Sequence, residues 1–404
     1  MSVNNHGVLS GRKRPISLLL SACLLASCGG GGGGGGGGAI ANPGGGAGGG
    51  AGGGGTAGGG SAPVNPGSPG GGTNPTPPTP APAFVRLWVP NYNAGELRAW
   101  NRSSLLADRD GQPDVVVKLP PGSRPNAATF DATGALWVTD SLNARLYKYG
   151  RAQLAAGGEP TPLIVIDSNG TSLLNSIGLA FDRSDNLWVA AGGRLEMYQP
   201  DNLDESGPTT PSRVLTTAGL DVPAGIVFDT AGNLWLSNAS FTPANNSVLV
   251  FTPDQQVAGG TQAARLTLRS TAFALIEGIR FDTAGDLWIS SNDGLNLSRF
   301  SGASITVPAA NATRAVTPVA SLEADANDTP TGRSVRKPGG IVFDVEGNLF
   351  VNSERGATGG LDSSVLRFTA QQLTFVGPQT TQAATVIARS TSNPGFGGLA
   401  LELQ

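Results

Sequence analysis

Residues 223–237 read Pro-Ala-Gly-Ile-Val-Phe-Asp-Thr-Ala-Gly-Asn-Leu-Trp-Leu-Ser, and the stretch recurs along the chain with small changes. Residues 125–139 read PNAATFDATGALWVT, 176–190 SIGLAFDRSDNLWVA, 276–290 IEGIRFDTAGDLWIS and 338–352 PGGIVFDVEGNLFVN. A sixth copy is divided between the ends of the chain: GGLALE at 397–402 supplies its first half and RLWVP at 86–90 its second. Copies at intervals of roughly fifty residues are the pattern of a closed array of repeats, not of a doubly wound or helical domain.

Every copy has the same grammar. Strand a is short and apolar, as from Gly225 to Phe228, and leads into a turn with Asp first and Gly fourth, such as Asp229 to Gly232. That order suits a type I turn. Strand b is Leu-Trp-Val or a variant. Strand c ends in an aromatic residue: Leu97–Trp100, Leu146–Tyr149, Leu195–Tyr198, Val248–Phe251, Leu297–Phe300 and Val365–Phe368. Strand d is expected at Val115–Leu119, Leu163–Ile166, Val214–Leu215, Leu266–Leu268, Ala315–Val319 and Ala384–Ile387. No segment of the domain keeps a helical period, and pieces such as Arg151–Leu154 or Ala370–Leu373 amount to one turn.

Four antiparallel strands per unit, repeated six times, predict an all-β, six-bladed β-propeller over residues 84–404. Apolar residues on both faces of strands a and b fit blades sandwiched between neighbours. The divided copy closes the ring, with strand a from 397–402 and strands b to d from 85–119, and so removes open edges. The aromatic residues of strand b (Trp88, Trp137, Trp188, Trp235, Trp288 and Phe350) share one repeat position, which marks them for packing between blades rather than for stacking on sugars.

Outside the repeats the chain changes character. Residues 1–28 carry Arg12, Lys13 and Arg14, then an apolar run from Ile16 to Ala26 too short to span a bilayer. This is a signal-peptide layout. The run ends in Leu25-Ala26-Ser27-Cys28, which resembles a bacterial lipobox with Cys28 as the lipidated residue; Leu20-Ser21-Ala22-Cys23 also fits but leaves a shorter apolar core. Gly29, rather than Asp, after the cysteine implies, by resemblance to such lipoproteins, passage to the outer membrane. Residues 29–83, glycine-rich and then proline-rich, read as a flexible tether with an r.m.s. reach of roughly 40 Å. Both cysteines precede the repeats, so the propeller has no thiol or disulfide. With the basic signal residues removed, 23 basic residues face 29 acidic ones. No block of like charge stands out, which argues against a nucleic-acid partner.

The motif PxGIxFDxxGNLWV…LxxF resembles that of NHL-type six-bladed propellers and of the gluconolactonase/regucalcin and streptogramin B lyase families. The resemblance spans about residues 84–404 and is carried by structural positions. The lyases rely, the resemblance implies, on a catalytic histidine; the only histidine here is His6, in the signal. Gluconolactonase-like enzymes hold a divalent cation with Glu and Asn/Asp side chains at strand starts. Asn126 and Glu277 match such positions, whereas Ala224, Gly339 and Gly397 supply no ligand.

Strand direction places the b–c and d–a connections on one face of the ring and the Asp-x-x-Gly turns on the other. The residue before each small strand-a residue should look into the axial mouth: Asn126, Ile177, Ala224, Glu277, Gly339 and Gly397. Residues at strand-b ends add Asn91, Asp140, Asn238, Asn292, Asn352 and Glu354. Such amide and carboxylate oxygens suit a hard cation such as Ca²⁺ or a hydroxyl-rich ligand, although Asn and Asp also favour turns. Two insertions, 322–337 with Glu323, Asp325, Asp328, Arg333, Arg336 and Lys337, and 352–364 with Arg355, are expected as loops on the same face. The expectation is an envelope-tethered, non-catalytic binding scaffold for a small ligand, glycan or protein. Its rivals are a divalent-metal lactonase-type hydrolase and a purely structural envelope component.

Overall fold

Repeated apolar β segments separated by tight turns fold as six mainly antiparallel sheets arranged as the blades of a propeller. The computed structural model describes residues 84–106, 112–168, 170, 172–324, 335–357, 360–380, 384–390 and 397–403, the side chains of 354–357, 360–363 and 386–390 excepted. Residues 1–83, where the signal and the tether with Cys28 are expected, and Asp325, Asp328 and Arg333 of the first insertion lie outside the described residues. Blade 1 pairs strand a, Ala400–Leu403, with Phe84–Asn91, in the register Leu87↔Leu401 and Trp88↔Ala400. Glu96–Asn101 and Val115–Lys118 complete it. The two ends of the domain thus close the ring as expected.

The turn between strands a and b explains why its motif recurs. Asp229 Oδ1 accepts the N–H groups of Ala231 and Asn233, both at 2.9 Å, and Oδ2 accepts the indole N–H of Trp235 at 2.9 Å. The same bonds tie Asp131 to Trp137, Asp182 to Trp188 and Asp282 to Trp288. In blade 1, where the motif is divided, Glu402 takes the Trp88 indole at 2.8 Å. In blade 6 Phe350 has no N–H to give, and Asp344 Oδ2 accepts the Asn348 amide instead. The fourth turn residue has positive φ, 82° at Gly232, which glycine adopts without a Cβ penalty.

With the indole N–H satisfied, the rest of each ring is free to pack. Trp88, Trp137, Trp188, Trp235 and Trp288 are buried, as is Phe350. Trp188, Trp235 and Trp288 meet Phe228, Phe281 and Phe343 of the next blade edge to face, with centroids 5.2–6.5 Å apart. Each apolar cluster spans two neighbours; one joins Trp235, Val248 and Leu266 of blade 4 to Ile276, Ile279 and Leu287 of blade 5.

The outer rim differs from expectation. After strand c each blade makes a short helical turn, the longest being Arg151–Ala156 and Pro253–Ala258. The c–d connection then adds a strand, parallel to strand d, to the preceding blade. Gly207–Pro208 joins blade 2, Gly260–Thr261 blade 3, Ala312–Ala315 blade 4 and Gly377–Gln379 blade 5. Val117 and Gly158 form a single bridge of this kind at blade 1. Strand d of blade 5 is therefore Ala320–Glu323 and not Ala315–Val319, and that of blade 6 is Thr385–Ser390. Two short β-prone segments follow one another there, and local sequence does not say which blade edge each covers. The insertion at 352–364 is not a loop: Leu349–Ala357 and Gly360–Phe368 pair continuously to Ala357↔Gly360. Its two arms match in length, so the ladder satisfies the backbone of both.

Candidate functional site

The axial mouth is shaped by a bulge in strand a. Pairing in blade 4 jumps from Pro223↔Asn238 to Ile226↔Leu236, so Ala224 and Gly225 together oppose Ser237. Asn126–Ala127, Glu277–Gly278 and Gly339–Gly340 repeat the irregularity. The bulge aims the carbonyl of its first residue at the small residue of the neighbouring blade. A Cβ on Gly178 would lie 1.9 Å from Ala224 O, and one on Gly397 would lie 1.8 Å from Asn126 O. Inner strands converge closely enough to exclude side chains there, as the sequence pattern implies.

A hydrogen-bonded relay runs through these bulges. Gly225 N–H donates to Ser237 Oγ at 2.7 Å, and Ser237 Oγ–H donates to Glu277 O in the next blade at 2.5 Å. Gly278 N–H, Ser290 Oγ and Gly339 O repeat it at 2.7 and 2.7 Å. In blade 6 Asn352 substitutes, accepting Gly339 N–H at 3.0 Å and donating Nδ2–H to Gly397 O at 2.7 Å. Gly398 N–H then donates to Asn126 O at 2.7 Å. Sequence reading missed Ser237 and Ser290. The available signal was the polar residue two places after the strand-b aromatic, as in LWVT, LWLS, LWIS and LFVN.

The expected strand-b-end residues fall into different registers. Asn91, Asp140 and Asn238, three places after Trp, are fully buried and tie their own loops. Asp140 accepts Arg124 N–H at 2.9 Å, the Asn143 amide at 2.8 Å and the Tyr147 hydroxyl at 2.9 Å. Burial and the adjoining Asp140 carboxylate raise the Tyr147 pKa above its ordinary value and keep the phenol a donor. Asn238 accepts Asp221 N–H and donates to Gly219 O, and Asn91 accepts Ala94 N–H. Asn292, four places after Trp, is buried, with its backbone N–H on Leu275 O. The Glu354 side chain lies outside the described residues.

What the fold brings together is narrower. Glu277 and Asn352 meet beside Gly339, where a Cβ would lie 3.0 Å from Glu277 Oε2 and 2.8 Å from Asn352 Oδ1. The relay continues from Asn352 through Gly397 to Asn126, so Glu277, Asn352 and Asn126 mark one arc across blades 5, 6, 1 and 2. Glu277 and Asn126 are half-buried. Among the described residues no group of three or more His, Cys, Asp or Glu side chains could hold a metal ion. A cation on this arc would rest on one carboxylate plus amide and carbonyl oxygens. That donor set is poorer in charge than a tight Ca²⁺ site and suits weak cation or hydroxyl recognition.

No family model matches the chain, and no curated protein matches it. Among solved structures it is similar to a protein of unknown function from Bacteroides caccae, 10% identical over 79% of this chain and 99% of that one, with a TM-score of 0.50. A chain of a nidogen/laminin complex is 17% identical over 79% of this chain and 98% of its own, also at 0.50. Virginiamycin B lyase from Staphylococcus aureus is 14% identical over 74% and 84%, at 0.45. Likeness at this identity speaks to architecture, and by architecture the chain is a six-bladed β-propeller.

Proposed function

We propose that the protein is a lipid-anchored propeller of the bacterial outer membrane whose loop-side axial mouth binds a ligand without turning it over. Cys28 is the lipidation site in this reading, and residues 29–83 hold the propeller clear of the membrane. The ligand is a small hydroxyl-rich molecule, glycan or protein group that meets Glu277, Asn352 and Asn126. The observation that supports this is the continuity of that arc, which offers one carboxylate among neutral oxygens. Residues 84–404 contain no histidine to serve as a base. Asp140 and Asn238 are already committed to their own loops.

The test is thermal unfolding of the protein with EDTA, then with Ca²⁺, Mg²⁺, Mn²⁺ or Zn²⁺, and with a panel of mono- and oligosaccharides. A ligand at a hundred times its dissociation constant adds about 2.7 kcal/mol of stability. The expected result is a raised midpoint with a sugar, removed in the Asn126→Ala/Glu277→Gln double variant, and no lactone hydrolysis. Cation-dependent lactone hydrolysis lost in the same variant would replace this reading with the lactonase one.

A further inference from the structure

The opposite mouth of the ring holds a cavity of about 720 Å³ that is open to solvent. The innermost strands of blades 1, 2, 5 and 6 wall it where they run into the Asp-x-x-Gly turns. Most of that wall is apolar, from Phe130, Phe281, Val342, Phe343, Ala400 and Leu401. Arg280 is the departure. Its place in strand a is taken in the other copies by Thr129, Ala180, Val227, Val342 and Ala400, so one guanidinium stands in a ring of small and β-branched side chains.

Arg280 Nη1 donates to the carbonyls of Ile226 at 3.1 Å and Ile279 at 2.8 Å. Among the described residues, Nε and Nη2 have no hydrogen-bond partner and no carboxylate pairs with the group. The side chain keeps part of its surface accessible, as one bordering a cavity does. Three carboxylates adjoin the cavity, and all three are spent on their own turns. Asp282 holds Ala284 and Asp286 N–H and the Trp288 indole; Asp344 holds Glu346 and Asn348; Asp131 holds Trp137 and Lys148. Arg151 adds a second guanidinium at the rim, with Nε on Thr133 O at 3.0 Å. Burial lowers the Arg280 pKa to about 10, which leaves the group charged at pH 7. With Nη1 on two carbonyls, Arg280 keeps its Nε and Nη2 donors short of acceptors, and that planar fork of N–H groups matches the two oxygens of a carboxylate.

We propose that this cavity binds a small organic carboxylate with an apolar body, its two oxygens on Arg280 Nε and Nη2 and its body against Phe281, Phe343 and Leu401. The site is on the turn face and is independent of the loop-side arc.

Isothermal titration of the full-length protein with octanoate and with benzoate tests it, with octanol and inorganic phosphate as controls. One carboxylate per chain is expected to bind, with octanol and phosphate at least tenfold weaker. Arg280→Met keeps an apolar stem and is expected to lower carboxylate affinity at least tenfold, Arg280→Lys less. An unfolding midpoint of Arg280→Met at or above that of the parent shows that the variant is folded. Glu277→Gln, on the other face, is expected to leave carboxylate binding unchanged. Failure of both carboxylates to bind, equal binding by folded Arg280→Met, or phosphate or octanol binding as tightly as octanoate would each overturn the proposal.

Discussion

Asp131 joins a turn, an indole and an ammonium group in one side chain. Its Oδ1 accepts the N–H groups of Thr133 and Ala135, and Oδ2 accepts Trp137 Nε1–H and pairs with Lys148 Nζ at 3.2 Å. Burial pushes the carboxyl pKa up, but the hydrogen bonds from Thr133, Ala135, Trp137 and Lys148 outweigh it and hold the group below its ordinary value. A depressed carboxyl contributes stability that is present above the unfolded pKa near 3.8 and is lost as pH falls through the folded value. Asp131→Asn turns an amide donor toward the indole N–H and the ammonium, so it should cost about 1–3 kcal/mol at pH 7. Urea unfolding of both proteins across pH 2–7 checks this: the gap should close as the wild-type carboxyl is protonated. The role of Trp137 in packing was legible because five copies place an indole at one position. The repeat alignment shows Arg280 as the one basic residue at its position, but its significance depends on which hydrogen-bond partners the folded ring leaves it.

At the scale of elements, the c–d connections act as clasps between blades. Ala312–Ala315 covers the outer strand of blade 4, with Ala312 N–H on Arg265 O at 3.0 Å and Val316 N–H on Arg269 O at 2.8 Å. An uncovered outer strand would present a row of unpaired backbone groups. Ala312→Pro removes one clasp donor and should cost about 1–3 kcal/mol. Amide exchange is the discriminating measurement. Protection across Leu266–Arg269 should fall, whereas protection across Val222–Phe228, on the inner side of the same blade, should persist. Strands a, b and c were readable because each carries its own apolar or aromatic signature. The clasps were not, because a strand that completes a neighbour's sheet has no local pattern to distinguish it from a strand of its own blade.

For the whole molecule the decisive contact is ring closure. Ala400–Leu403 pairs with Phe84–Trp88 across more than three hundred residues, and Glu402 accepts the Trp88 indole N–H. Deleting residues 397–404 bares strand b of blade 1 and strips the cover from Trp88, which is fully buried in the closed ring. The expected outcome is loss of a single cooperative urea transition and a gel-filtration profile shifted to aggregates, whereas deleting residues 29–83 should leave the transition unchanged and add no aggregates. By itself the sequence determined the number of blades, the order of strands a to c within them, the shared place of the buried aromatics and the closure by the two ends. Those features repeat, and a repeated pattern of apolar residues and turns can form only one kind of surface to be buried between neighbours. Only the tertiary structure decided how deeply each polar group is enclosed and by which neighbours. Asp140 and Glu277 are both acids at strand ends, yet one is enclosed by Arg124, Asn143 and Tyr147 and the other lies half-buried at the mouth. That difference is set by hydrogen-bond partners contributed from other loops and blades, and no local stretch of the chain contains them.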